Sequence, residues 1–185
     1  MCNLASICYK MATLYRQLKP VTDLTVEPLI ERLTAALKPL FDTSDQPIIV
    51  GIETGGYLIA RELYQRIQPQ TELGKLNITF YRDDFTKIGL HPAVKPSSLP
   101  TDIDGKTIIL VDDVLYSGRT VRAAMNELFD YGRPEKILLA ILIDRGGREL
   151  PIQADFIGHS MSLADDEQIK LEGTDKLSLS VHKNT

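Results

Sequence analysis

Cysteine is almost absent from this chain: its 185 residues hold two, Cys2 and Cys8. A disulfide between them would close a trivial loop and constrain no core, so a disulfide-built scaffold is excluded and a reducing, cytoplasmic setting is expected. Long apolar runs are missing too. No window offers the roughly 18–20 consecutive apolar residues of a spanning helix, the mean hydropathy is -0.08, and no membrane partner is expected. Residues Met1 to Lys10 lack a basic start, a continuous apolar run and a small-residue cleavage site, so no signal peptide is expected. Positive charge is not in excess either. The 21 Lys+Arg face 25 Asp+Glu, a formal net charge of -4, which removes the bulk attraction that nonspecific nucleic-acid binding rests on.

What is present suits one soluble domain: 43% hydrophobic and 25% charged residues, on a chain long enough to bury a core unaided. Residues 1–24 are expected to form a poorly packed or disordered N-terminal arm, and 25–185 a single domain. Leu29, Ile30, Leu33, Leu37 and Leu40 recur with helical spacing and predict an amphipathic helix from Thr25 to Phe41, with Thr25 as N-cap. The rhythm then changes. Pro47 to Ile52 is a short continuous apolar run, as expected of a strand buried on both faces. A helix over Gly56–Ile67 follows, then strands over Leu76–Tyr81, Thr107–Val111 and Lys136–Ile143, with a helix over Thr120–Tyr131 between the last two. Leu177 to Val181 alternates like a further short strand. Strand and helix in alternation mean an α/β fold with a mostly parallel central sheet flanked by helices.

Such sheets bind ligands outside the carboxyl ends of their strands. Those ends carry Glu53-Thr54-Gly55-Gly56, Arg82-Asp83-Asp84, Asp112-Asp113 and Asp144-Arg145. Between Asp84 and Lys106 lies an aperiodic stretch with Pro92, Pro96 and Pro100, long enough to suggest a mobile lid.

The most informative stretch runs from Ile108 to Thr120: a buried strand, an acidic pair, a small-residue turn and a helix start. Gly118 permits an unusual turn and a close ligand, while Ser117, Thr120 and the amides of the helix start offer donors to an anion. The Gly-Lys-Ser/Thr of a nucleotide-triphosphate loop is absent, and Gly55-Gly56 is no dinucleotide fingerprint. Two carboxylates beside a phosphate cradle would repel a lone phosphate, so Asp112 and Asp113 are expected to face sugar hydroxyls or a metal-bound polyanion, or else simply to cap the following turn. Ribose hydroxyls beside a 5′-phosphate fit both halves.

These residues resemble the phosphoribosyl-pyrophosphate (PRPP) signature of type I phosphoribosyltransferases. Tyr81–Phe85, Val111–Arg122, Tyr131–Pro134 and Asp144–Ile152 resemble, more narrowly, the PyrR family of pyrimidine operon regulators that are also uracil phosphoribosyltransferases. The resemblance covers about Val50 to Leu171 and implies the type I phosphoribosyltransferase fold, with a flexible loop and a small hood. It implies that Asp112 and Asp113 bind the ribose hydroxyls. Val114, Leu115, Tyr116, Ser117, Gly118, Arg119 and Thr120 would wrap the 5′-phosphate, and Thr54, Gly55 and Arg82 would meet pyrophosphate. Asp112, Asp113 and Arg82 are thus the expected catalytic residues. Asp144 and Arg145, with Ser160, Met161 and Ser162 as the hood, would line the uracil side. Mg2+ would arrive bound to PRPP, with few or no direct protein ligands; UMP and UTP are the implied effectors, and a dimer or dimer-based assembly the implied state. None of the three histidines, His91, His159 and His182, is placed to act as a general base.

The chain also departs from the family's pattern. Purine enzymes of the wider fold carry an aspartate where this chain has Tyr116, which favours a pyrimidine over the purine alternative. RNA-binding PyrR proteins carry basic residues where this chain has Glu53, Gly55, Gly147, Gln153 and His159, and the balance from Asp144 to His159 is -1. RNA binding is therefore expected to be weak or absent. A nucleotide-sensing RNA-binding attenuator with little catalysis stands as the alternative, since Gly55 also removes a possible pyrophosphate ligand.

Overall fold

The computed structural model describes residues 24–78, 96–100, 102–164 and 166–183. Tyr81 to Phe85 with Arg82, residues 86–95 and 101 of the predicted lid between Asp84 and Lys106, His91 and residues 1–23 lie outside the described residues.

The helix predicted from the first apolar stripe is α1, Val26–Leu37, with Val26, Leu29, Ile30, Leu33 and Leu37 buried. Thr25 occupies the N-cap in extended geometry without a side-chain cap bond. The α-helix stops earlier than periodicity suggested and tightens into a 3-10 turn over Lys38–Phe41, because Pro39 has no amide proton to continue the ladder. Next come β1, Ile48–Ile52, and α2, Gly55–Ile67. Strand β2 spans Gly74–Leu76; of the predicted Leu76–Tyr81, Asn77 and Ile78 lie outside a strand and residues 79–81 outside the described residues. Beyond it the Asn77 amide donates to Ser97 Oγ at 2.9 Å rather than to a strand. Lys75 also exchanges two backbone bonds with Ser98, at 2.7 and 2.8 Å, so this sheet edge is covered.

The remaining elements are β3, Thr107–Leu115; α3, Arg119–Tyr131; β4, Lys136–Asp144; and β5, Phe156–Ser160. They complete a five-stranded parallel sheet of order β2-β1-β3-β4-β5. Helices α1 and α2 cover one face over Ile49, Ile109, Val111, Ala140 and Leu142. Helix α3 covers the other through Val121, Ala124 and Leu128 over Val50, Ile108, Leu110 and Ile141. The alternating tail is β7, Ser178–Lys183, which pairs antiparallel with β6, Glu167–Glu172, in a separate two-stranded sheet. The small appended sheet therefore begins after the Ser160–Ser162 stretch expected as the hood; Met161 itself is 5% exposed and belongs to the core. Ile169 seals the hairpin onto the α1/α2 side, and Arg61 Nη2 on α2 donates to the Thr174 carbonyl at 2.6 Å. No helix among the described residues is long and apolar enough to cross a membrane.

His159 on β5 illustrates how packing sets a protonation preference. Burial, aided by the Arg32 guanidinium, holds its imidazole below the ordinary 6.5. The unfolded chain takes up this proton at its ordinary value while the folded chain resists, so this site's contribution to stability is lost as pH falls below 6.5 toward the folded value. The melting temperature of His159→Gln should therefore fall less than the parent's between about pH 7.5 and pH 5.5. Equal losses would refute the assignment.

Candidate active site

Strand order reverses between β1 and β3, and in open parallel sheets the crevice outside the carboxyl ends at such a switch point is the ligand site. Here it receives the Glu53–Gly56 turn from β1 and the acidic pair from β3. The pair does not follow the strand, as the apolar run alone suggested. It lies within β3, where Asp112 is level with Ile141 and Leu115 with Asp144. The long apolar β4 offers a pairing partner that carries β3 onward through both carboxylates.

Asp112 is 5% exposed, the one buried charged residue among those described. Its Oδ1 accepts the Asp113 amide at 3.0 Å. Asp113 leans onto the start of α2: a Cβ built on Gly55 would stand 2.2 Å from Asp113 Oδ2. A Cβ on Gly56 would stand 2.5 Å from the Val111 carbonyl oxygen. The two glycines, which follow the Thr54 N-cap, thus let the helix N-terminus close on the central strand and bring Gly55 to Asp113. The Glu53–Thr54 peptide is cis. Glu53 is partnered within the protein, with Oε2 accepting from Asn77 Nδ2 at 3.2 Å and Oε1 lying 3.9 Å from Lys75 Nζ.

After Leu115 the chain turns through Tyr116, Ser117 and Gly118 into α3. Gly118 has φ +90, a conformation in which a side chain would be strained. Ser117 Oγ accepts the Arg119 amide at 3.3 Å, and Arg119 Nε contacts Glu149 Oε2 at 2.7 Å. Thr120 is exposed in the first turn of α3. Leu115 is buried, so its side chain belongs to the core and only its backbone serves the turn.

The residues expected around a base separate into two cavities. Asp144, Ser160 and Met161 line one of about 520 Å³ with Arg148, Ile152 and Gln153. Arg145 instead lines a cavity of about 320 Å³ with Asp113, Val114, Tyr116 and β6 residues Gln168 to Leu171. Only the second touches the acidic pair. The Arg145 guanidinium lies 4.1 Å from the centre of the Tyr116 ring, close enough for a cation–π contact, and its buried Nε has no hydrogen-bond partner among the described residues. Asp144 is occupied elsewhere, its Oδ1 by the Gly146 amide at 2.9 Å and its Oδ2 by Arg148 Nη2 at 2.7 Å. Gly147, at φ +74, faces the Tyr116 ring at 2.5 Å from a built Cβ, so backbone geometry as well as charge separates this position from a basic residue. Sequence reasoning missed Arg148 and the β6 wall. The Asp144–Arg148 spacing and the alternation from Glu167 were the available signals.

A five-stranded parallel sheet with an acidic pair, a glycine-opened helix start and a small-residue turn at its switch point defines a phosphoribosyltransferase. The phosphoribosyl transferase domain family matches residues 20–173. A solved hypoxanthine-guanine phosphoribosyltransferase from Bacillus anthracis superposes with a TM-score of 0.61 at 21% identity, covering 81% of this chain and 85% of that one. The "Bifunctional protein PyrR" of Nitrosococcus oceani is 50% identical over 167 residues, 88% of this chain and 94% of that protein. That of Pseudomonas aeruginosa strain LESB58 is 54% identical over 135 residues, 73% and 79% of the two. The chain belongs to the PyrR family of phosphoribosyltransferases.

Proposed function

We propose that this chain transfers the 5-phosphoribosyl group of PRPP to uracil, forming UMP and pyrophosphate, with residues 25–185 as the catalytic domain. The observation that carries the reading is the closure of Gly55 on Asp113 beside the phosphate turn and the 320 Å³ cavity. In this reading Asp112 and Asp113 hold the ribose hydroxyls, and Val114 to Thr120 wrap the 5′-phosphate with amides and the Ser117 and Thr120 hydroxyls. Thr54 and Gly55 face pyrophosphate, and Arg82 supplies a cation to it. Tyr116 and Arg145, with Gln168 to Leu171, take the base. Mg2+ enters with PRPP and neutralises charge on the leaving group.

As the bond from ribose C1 to pyrophosphate breaks, the electron pair leaves with pyrophosphate and the sugar gains cationic character. A carboxylate pair beneath the sugar stabilises that charge without having to move. The uracil nitrogen then bonds to C1 and sheds its proton. Exclusion of water keeps hydrolysis from competing. Labelled uracil incubated with Mg2+ and PRPP should yield UMP; intact PRPP binding without UMP would overturn the proposal. Uracil, hypoxanthine and guanine in one competition assay should give uracil preference, and a purine preference would move the assignment to salvage of purines.

The relatives are named bifunctional, and of the two activities we assign transfer as the one retained. Arg148 is tied to Asp144 and to loop carbonyls, Arg119 to Glu149, and Gly147 and Gln153 add no charge, so this face offers RNA few cations. In a gel shift with a pyrimidine-operon leader RNA at low and moderate salt, binding should vanish at moderate salt with or without UMP. A complex that survives and responds to UMP or UTP would favour the attenuator. A dimer or dimer-based assembly is the state we expect in solution.

A further inference from the structure

We propose that Arg148, which touches no substrate in the reading above, is a positioning residue that sets the peptide planes of the phosphate turn. The role rests on the assignment of Val114 to Thr120 to the 5′-phosphate.

Three successive carbonyls of that turn are held by the segment after β4. The Leu115 carbonyl accepts the Arg145 amide at 3.1 Å and Arg148 Nη1 at 3.2 Å. The Tyr116 carbonyl accepts Arg148 Nη1 at 2.8 Å, and the Ser117 carbonyl accepts the amides of Glu149 and Leu150, both at 3.0 Å. In a trans peptide the carbonyl of one residue and the N–H of the next point in opposite directions. Pinning these carbonyls toward Arg145–Leu150 therefore turns the N–H groups of Tyr116, Ser117 and Gly118 toward the opposite side. Consecutive amides presented together form an anion-binding concavity. The carbonyl dipoles, which would repel phosphate, are turned away by the same contacts.

Arg148 is the member of this clamp that acts through a side chain. One guanidinium reaches Asp144 Oδ2 at 2.7 Å, the Ile152 carbonyl through Nε at 3.0 Å, and the two turn carbonyls. Only a planar fork with several fixed donors can span that set; a lysine in its place could keep the ion pair but not the carbonyls. Ile152 in turn lies in van der Waals contact with the Gly118 position, at 3.4 Å from a built Cβ.

The test titrates parent, Arg148→Ala and Arg148→Lys with ribose 5-phosphate by calorimetry, alongside initial rates with PRPP and uracil. Arg148→Ala should lose about a hundredfold in ribose 5-phosphate affinity and raise the PRPP KM in parallel, the scale expected when a site is displaced by an ångström. The uracil KM should change far less. Guanidinium chloride well below denaturing concentration should restore part of the affinity, and equal sodium chloride should not. Arg148→Lys should fold, bind weakly and ignore added guanidinium, which keeps the test decisive if the alanine variant does not fold. Parent-like affinity in Arg148→Lys, or a lowered melting temperature with unchanged affinity, would overturn the role. A parent that binds no ribose 5-phosphate would overturn the site reading itself, and the role with it.

Discussion

Uracil transfer should fall by about three orders of magnitude when Asp112 and Asp113 are both changed to asparagine, while the melting temperature stays near the parent's. The substitution keeps shape and one oxygen acceptor at each position and removes two negative charges from beneath the sugar. Ground-state binding of PRPP depends mostly on phosphate and pyrophosphate contacts, which this change leaves in place. The loss should therefore appear chiefly in kcat, because cationic character on ribose develops only in the transition state. The two positions should not be equal when changed singly. Asp112 is buried and accepts its neighbour's amide, so part of its effect is a small shift of that contact within β3. Asp113 is partly exposed and leans on Gly55, so its effect should be almost wholly on turnover. Parent-like activity in the double variant would refute the role given to both carboxylates.

Why that pair could be found in the sequence, and other parts of the site could not, has a physical basis. Strands buried on both faces leave continuous apolar runs, so β1, β3 and β4 and the polar residues at their ends stand out without any knowledge of partners. The stripe of α1 likewise declares itself, and only Pro39 marks where it stops. Extents that depend on a neighbour are not local properties. β3 continues through Asp112 and Asp113 because β4 lies alongside, and β2 ends early because Ser97 and Ser98 draw its backbone away. The pairing of β6 with β7 is of the same kind, and so is the wall it lends to the smaller cavity. Asp144 and Arg145 are adjacent in sequence yet serve different cavities, one side chain spent on Arg148 and the other laid on Tyr116. A motif names the segment that approaches a ligand; which side chains of the segment are already committed to one another follows only from packing.

Gly56→Ala should be the more damaging to stability of the two glycine changes at the start of α2. The added methyl would meet the Val111 carbonyl oxygen at 2.5 Å and the Asp112 Cα at 2.8 Å. Both belong to the backbone of the central strand and cannot rotate away, so the start of α2 must move off β3. Overpacking of this kind costs about 1–3 kcal/mol, set against a helix-propensity gain for alanine of about 1 kcal/mol at most. Because the clash is with main chain, the upper part of that range should apply, which corresponds to a melting temperature lower by roughly 5 °C in a chain of this size. Gly55→Ala makes the contrast. The three atoms nearest its methyl all belong to the Asp113 carboxylate, with Oδ2 at 2.2 Å, and that group can turn aside at little cost to the fold. Stability should then change by well under about 1 kcal/mol, while turnover falls about tenfold as the carboxylate leaves its place beneath the sugar. Calorimetric melting and uracil-transfer rates on the two variants check the pair. If Gly56→Ala melts with the parent, or if Gly55→Ala loses stability but keeps its rate, the close approach of α2 to the acidic pair does not have the consequences drawn from it.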